Sequence, residues 1–238
     1  MAEPIFSYFR SFSTMSFARS FTSYFKTSQL SQRAYAKLAG VQPPAMKEYL
    51  TVTSIIGADG YKFPATILFK EAKKTGVLSP AIMKKLVIPN NVLVYSTASG
   101  WWSIVLDKKW LGDYFKKNHR GGCLIRDRAT VHCNVASSFL LEKKGIEQIF
   151  IPTGLTGTYH PLDIGVNYHF KCYLKKSYHE WRDRRTTVTK KGYLKKPDRQ
   201  DFINFVSSAW EQITVFTVIN AFSATKITPE PLFIYLFI

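Results

Sequence analysis

The side chains best placed to do chemistry are two aspartates. Asp127 ends the run Cys123-Leu-Ile-Arg-Asp127, and Asp163 sits in Tyr159-His-Pro-Leu-Asp163-Ile-Gly-Val166. Each puts a carboxylate where an apolar segment gives way to a polar turn, and 35 residues lie between them. Carboxylates so placed can gather Mg²⁺, the layout of a metal-dependent nuclease. Singly, each has a structural use: Asp suits turns, and at the start of a helix it is a natural cap. As a pair they point to catalysis, because open α/β sheets bind ligands at the carboxyl ends of their strands. Arg126 and Arg128 flank Asp127; by charge they would keep it ionised and would compete with a metal ion for it.

The elements that must position these aspartates follow from local pattern. Tyr49 to Ile56 is β-branched and apolar, Gly57-Ala-Asp59-Gly60 makes a turn, and Phe63 to Phe69 follows, so a β-hairpin is expected. Residues 70 to 89 are basic and read as irregular or weakly helical. Val92 to Tyr95 reads as a strand, and apolar spacing through Ile104, Leu106, Trp110, Leu111 and Phe115 predicts a helix over 103–117. Cys123 to Ile125 reads as a strand with Asp127 just past its end, followed by a helix over 134–144 and a strand over 146–151. A long basic helix is expected from Asp163 to Arg185, then helical segments over 202–212 and 215–222. Strands alternating with helices make this a mixed α/β layered fold.

Composition narrows the partners. Thirty-three Lys and Arg against sixteen Asp and Glu give +17, which favours a polyanion, nucleic acid first and anionic membrane second. A hydrophobic content of 46% fits one globular core rather than disorder. Cys123, Cys133 and Cys172 form no CxxC pair, and with His132 and His169 they match no common zinc spacing. The odd count points to a reducing compartment. No run of about 18 apolar residues exists, so no membrane span is expected. The apolar end, Pro231 to Ile238, is too short for one and reads as a strand-like packing segment. Residues 1–44 form an atypical Phe-, Ser- and Arg-rich opening; an organellar presequence is the lesser reading of it.

Blocks along the chain resemble one family. Leu50-Thr-Val with Gly57-Ala-Asp-Gly60, Phe63-Pro with Ile67-Leu-Phe-Lys70, Ser99-Gly-Trp101 and Leu124-Ile-Arg-Asp127 with His132 come first. Ile149-Phe-Ile-Pro152, His160-Pro-Leu-Asp-Ile-Gly165 and Ala209-Trp210 with Ile219-Asn-Ala-Phe222 follow in order. Together they resemble the DDE superfamily endonuclease domain of pogo/jerky-type, mariner-like transposases, over a domain of residues 45–225 with an apolar tail at 226–238. The resemblance implies an RNase H-like mixed sheet flanked by helices, and Mg²⁺- or Mn²⁺-dependent DNA strand cleavage and transfer. It makes Asp127 the second metal-binding, catalytic carboxylate and Asp163 the third. The first is expected on a central strand just before the hairpin, yet residues 19–46 contain no Asp or Glu. That strand is thus expected to be missing or replaced: either an N-terminal stretch such as Ile5 to Tyr8 or Phe21 to Phe25 fills its place, or the domain is poorly stable. Whether the chain is an enzyme stays open, with activity expected to be lost or severely impaired.

The same resemblance implies DNA as partner and the nucleus as location. Lys171, Lys175, Lys176, Arg182, Arg184 and Arg185 crowd the helix after Asp163, interleaved with Tyr173, Tyr178 and Trp181. The aromatics read as core and the cations as phosphate contacts, joined by Arg128 and His132 beside Asp127. The residues ahead of 45 are too few for the helix-turn-helix module of this family, so sequence-specific recognition is not expected. The alternative is a non-enzymatic DNA-binding or interaction protein built on the same scaffold; a homo-oligomer is compatible with either.

Overall fold

The computed structural model describes residues 50–70, 78–117, 122–184, 187–189, 195–225 and 235–237. Seven strands are described: β1 (Leu50–Thr53), β2 (Ile56–Gly57), β3 (Ala65–Lys70), β4 (Val92–Thr97), β5 (Gly122–Asp127), β6 (Ile146–Ile151) and β7 (Tyr235–Phe237). The helices are α1 (Pro80–Met83), α2 (Ile104–Lys117), α3 (Val135–Glu142), α4 (Thr156–Tyr159), α5 (Asn167–Asp183), α6 (Arg199–Glu211) and α7 (Val215–Thr225). A π-helical turn, Leu162–Val166, leads into α5. The long basic helix expected from Asp163 therefore starts with a wider turn than its sequence pattern indicates.

The strands form a mixed arrangement. β1, β3 and β4 lie side by side, β1 antiparallel to β3 and β3 parallel to β4. The second set runs β2-β7-β5-β6. β1 and β2 are separated only by Ser54 and Ile55, so this short run of chain links the two sets. At the hairpin, Gly60 closes the turn with φ +85°, a conformation glycine adopts without penalty.

Alternation along the strands divides the core in two. Ile56, Ile67, Cys123 and Ile125 pack with α5, α6 and α7 residues such as Phe170, Leu174, Ile203 and Trp210. Their neighbours Ile55, Leu68 and Leu124 pack on the other side with Trp102, Leu106, Trp110 and Leu141 from α2, α3 and the turn ahead of them. Successive side chains on opposite faces are what a strand of period two must give, and buried strands covered on both faces read as near-continuous apolar runs. Two indoles tie helices to the sheet: Trp110 Nε1 donates to Thr66 Oγ1 at 2.8 Å, and Trp210 Nε1 donates to the Phe63 carbonyl at 2.7 Å. Among the described residues no single helix is long and apolar enough to cross a membrane.

One expectation changes here. The edge of β5 away from β6 is occupied by β7, near the C-terminal end of the sequence, and not by an N-terminal segment. The N-terminal stretches proposed for that place, and all of 1–44, lie outside the described residues. β7 runs parallel to β5 and antiparallel to β2, with Leu124 opposite Leu236 and Gly57 opposite Leu236.

Candidate metal and nucleic-acid site

Asp127 is the last residue of β5, inside the strand rather than just past it. It shares strand parity with Cys123 and Ile125, whose cluster also contains Leu162 and Val166, the apolar residues of the π turn on either side of Asp163. Strand parity thus turns Asp127 towards the face on which the Asp163 turn packs. Asp127 is 7% exposed; its Oδ1 accepts from the Ala129 amide at 3.4 Å and lies 3.5 Å from His132 Nε2.

Arg126, of opposite parity, enters the α2 side and is fully buried. Its guanidinium pairs with Asp107 of α2, also fully buried, and meets His132 Nδ1. The expected pairing of Arg126 with Asp127 gives way to this one, because the period of the strand carries the two side chains to different faces. Asp107 also accepts from Trp102 Nε1 at 3.0 Å and Ser137 Oγ at 2.7 Å, and faces His132 Nδ1 at 2.9 Å. Burial pushes the Asp107 carboxyl up, but His132 and Arg126 outweigh it and hold it well below the usual carboxylate range. The result is a buried polar network in which, among the described residues, Arg126 Nε alone of the guanidinium nitrogens lacks a partner, with His132 bridging the buried Asp107 to Asp127.

Asp163 lies in the first turn after Pro161 and is bonded by Asn167 Nδ2 at 2.9 Å, with His160 Nδ1 at 3.8 Å. Burial lowers the Lys171 ammonium, partly offset by the Asp163 carboxylate and deepened by Lys175. Gly165 makes the turn fit: a Cβ there would meet Ala221 Cβ of α7 at 2.9 Å. Single π turns are frequent at functional sites.

One or two carboxylates suffice for a single hydrated Mg²⁺. A pair of ions needs more donors, and among the described residues no three His, Cys, Asp or Glu side chains are grouped to hold a metal ion. The described residues by themselves do not fit a two-ion centre. Cys123 is buried, and burial, helped by Glu147, pushes its thiol up to about 12; Cys133 and Cys172 are exposed.

The family description DDE superfamily endonuclease matches residues 47–222. The chain belongs to this family. This DDE domain is 23% identical over 190 residues to "Pogo transposable element with KRAB domain" of Mus musculus and, equally, of Homo sapiens. Each match covers 76% of this chain and 30% of the relative, so the chain spans about a third of the length of the curated relatives it matches. No solved structure matches it significantly. It is a DDE endonuclease domain of transposase origin.

Of the cations singled out in the sequence of this DDE domain, Arg128 and Lys176 are exposed, Lys171 and Lys175 are half-buried on α5, and Arg184 is exposed just after it. Arg182 lies 3.5 Å from Asp183, and Arg185 is outside the described residues. His132 is buried between carboxylates. The residue that sequence reasoning passed over is Asp107. Its signal was available, since it shares a helix face with Trp110, Leu111 and Tyr114 at spacings of three, four and seven. An acid on an apolar stripe needs a buried partner.

Proposed function

We propose that this chain is a transposase-derived, RNase H-like domain that binds DNA without sequence specificity, its ancestral Mg²⁺-dependent strand cleavage and transfer being lost or severely impaired. The observation that carries the reading is the donor set: Asp127 is engaged with His132 and Asp163 with Asn167, with no grouping of three metal-binding side chains among the described residues. Lys171, Lys175 and Lys176 along α5 after Asp163, Arg184 at the far end of that helix and Arg128 next to Asp127 in sequence supply the phosphate-facing charge in this reading, and the net charge of +17 supports it. We infer a nuclear location from the same reading. A non-enzymatic DNA-binding protein on the same scaffold is the second reading, favoured by the engagement of Asp127 with His132.

Plasmid nicking in Mg²⁺ or Mn²⁺, with Asp127→Ala and Asp163→Ala as controls, tests the reading. Salt-sensitive binding without nicking is the expected result. Nicking abolished by both substitutions would overturn the claim of lost activity, and absence of binding at low salt would overturn the claim of a DNA partner.

A further inference from the structure

α5 turns Phe170, Leu174 and Tyr178 into the core. Tyr168, in the first turn of the same helix, is 69% exposed. Lys171, Lys175, His179 and Arg182 follow it at steps of three, four, four and three residues. Those steps keep all five side chains on one line of the helix surface. Electrostatics agree with the line. Burial lowers the Lys171 ammonium, with Asp163 opposing and Lys175 reinforcing. Burial also lowers the His179 imidazole; Arg182 and Lys175 deepen the fall, and Asp183, 3.5 Å from Arg182, opposes it. Charge is thus felt from one member to the next, from the turn that carries Asp163 to the end of α5.

Cations in line can track a phosphate backbone, whether duplex or single-stranded. An exposed phenol in that line adds something a duplex cannot use, because paired bases keep their faces stacked on one another. An unpaired strand offers those faces, and stacking on an aromatic ring tolerates any base. The His169 ring stands nearly perpendicular to Tyr168 at 5.5 Å, which steadies the phenol and leaves most of it in solvent. A lone exposed aromatic is ordinary on a protein surface. One at the head of a line of cations, five residues after Asp163, is in place to meet a base. Resting on the DNA-binding reading, we propose that this face of α5 holds a single strand of DNA, one unpaired base stacking on Tyr168 while the backbone runs along Lys171, Lys175 and Arg182.

Fluorescence anisotropy with labelled oligothymidine, and with a duplex of equal length, tests it. Tyr168→Ala should weaken oligothymidine binding about 5- to 150-fold, the worth of one stacked base, and leave duplex binding unchanged. Tyr168→Phe keeps the ring face and should bind both as the unaltered chain does. Phe216, 76% exposed on α7 and off this line, is the control; Phe216→Ala should change neither. Both rings stand in solvent, so neither substitution empties the core. A loss in Tyr168→Ala that the duplex shares, that Phe216→Ala matches or that Tyr168→Phe fails to restore overturns the proposal, as does no loss at all. So does a chain that binds duplex but not oligothymidine, and in each of these cases the DNA-binding reading stands. Binding of neither form at low salt overturns that reading and the proposal together.

Discussion

His132 Nε2 stands 3.5 Å from Asp127 Oδ1, while the other nitrogen of the same ring faces the buried Asp107 at 2.9 Å. One imidazole thus links a carboxylate in the core to the carboxylate at the site, and Asp127 is braced from inside the protein. Four expectations start from this and neighbouring contacts.

His132→Ala leaves Asp107 and Arg126 with fewer partners at zero exposure. Loss of one partner of a buried polar group costs about 1–3 kcal/mol. Urea unfolding should show that loss, with His132→Gln recovering part of it through its amide.

Asp107→Ala should cost more, about 3–5 kcal/mol, because it strands the buried Arg126 guanidinium. Asp107→Asn tests the pH dependence. The folded carboxyl titrates well below its unfolded value, so its contribution is fully present above that value and fades as pH falls towards the folded one. With the unfolded carboxyl at about 3.9, thermal melts from neutral pH downward should show the unaltered chain losing stability below about pH 4 more steeply than Asp107→Asn.

If α5 tracks phosphates, Lys175→Ala and Lys176→Ala should each weaken DNA binding uniformly across sequences. Each should also reduce the slope of log affinity against log salt by about 0.9. Fluorescence anisotropy at several salt concentrations reads both; an unchanged slope removes that lysine from the interface.

Gly165→Ala places a methyl 2.9 Å from Ala221 Cβ. Overpacking of this kind costs about 1–3 kcal/mol. The double variant Gly165→Ala, Ala221→Gly should return most of it in denaturant unfolding, which would localise the effect to the contact between the π turn and α7.

Much of the architecture was legible because period carries it. The β-branched hairpin, the helical spacing from Ile104 to Phe115 and the run ending at Asp127 each declare their element locally. The two aspartates stood out for the same reason, at the ends of apolar segments. What escaped depends on contacts distant in sequence. The π turn at Asp163 has no periodic signature over five residues. The pairing of Arg126 with Asp107 crosses from strand to helix, and charge adjacency in sequence suggested Asp127 instead. The partner of β5 comes from residues 235–237, and a short apolar run does not announce which strand it will join.

The two faces of β5 make its alignment self-checking. Arg126 answers the carboxylate of Asp107 on one side, and Asp127 belongs to the other. A slip of one residue would exchange them. Two acids would then confront each other in the dark of the core and a guanidinium would stand where the site carboxylate belongs, so misaligned chains carry an electrostatic penalty that correctly threaded ones escape. The charge pair proofreads the threading of the strand that bears Asp127.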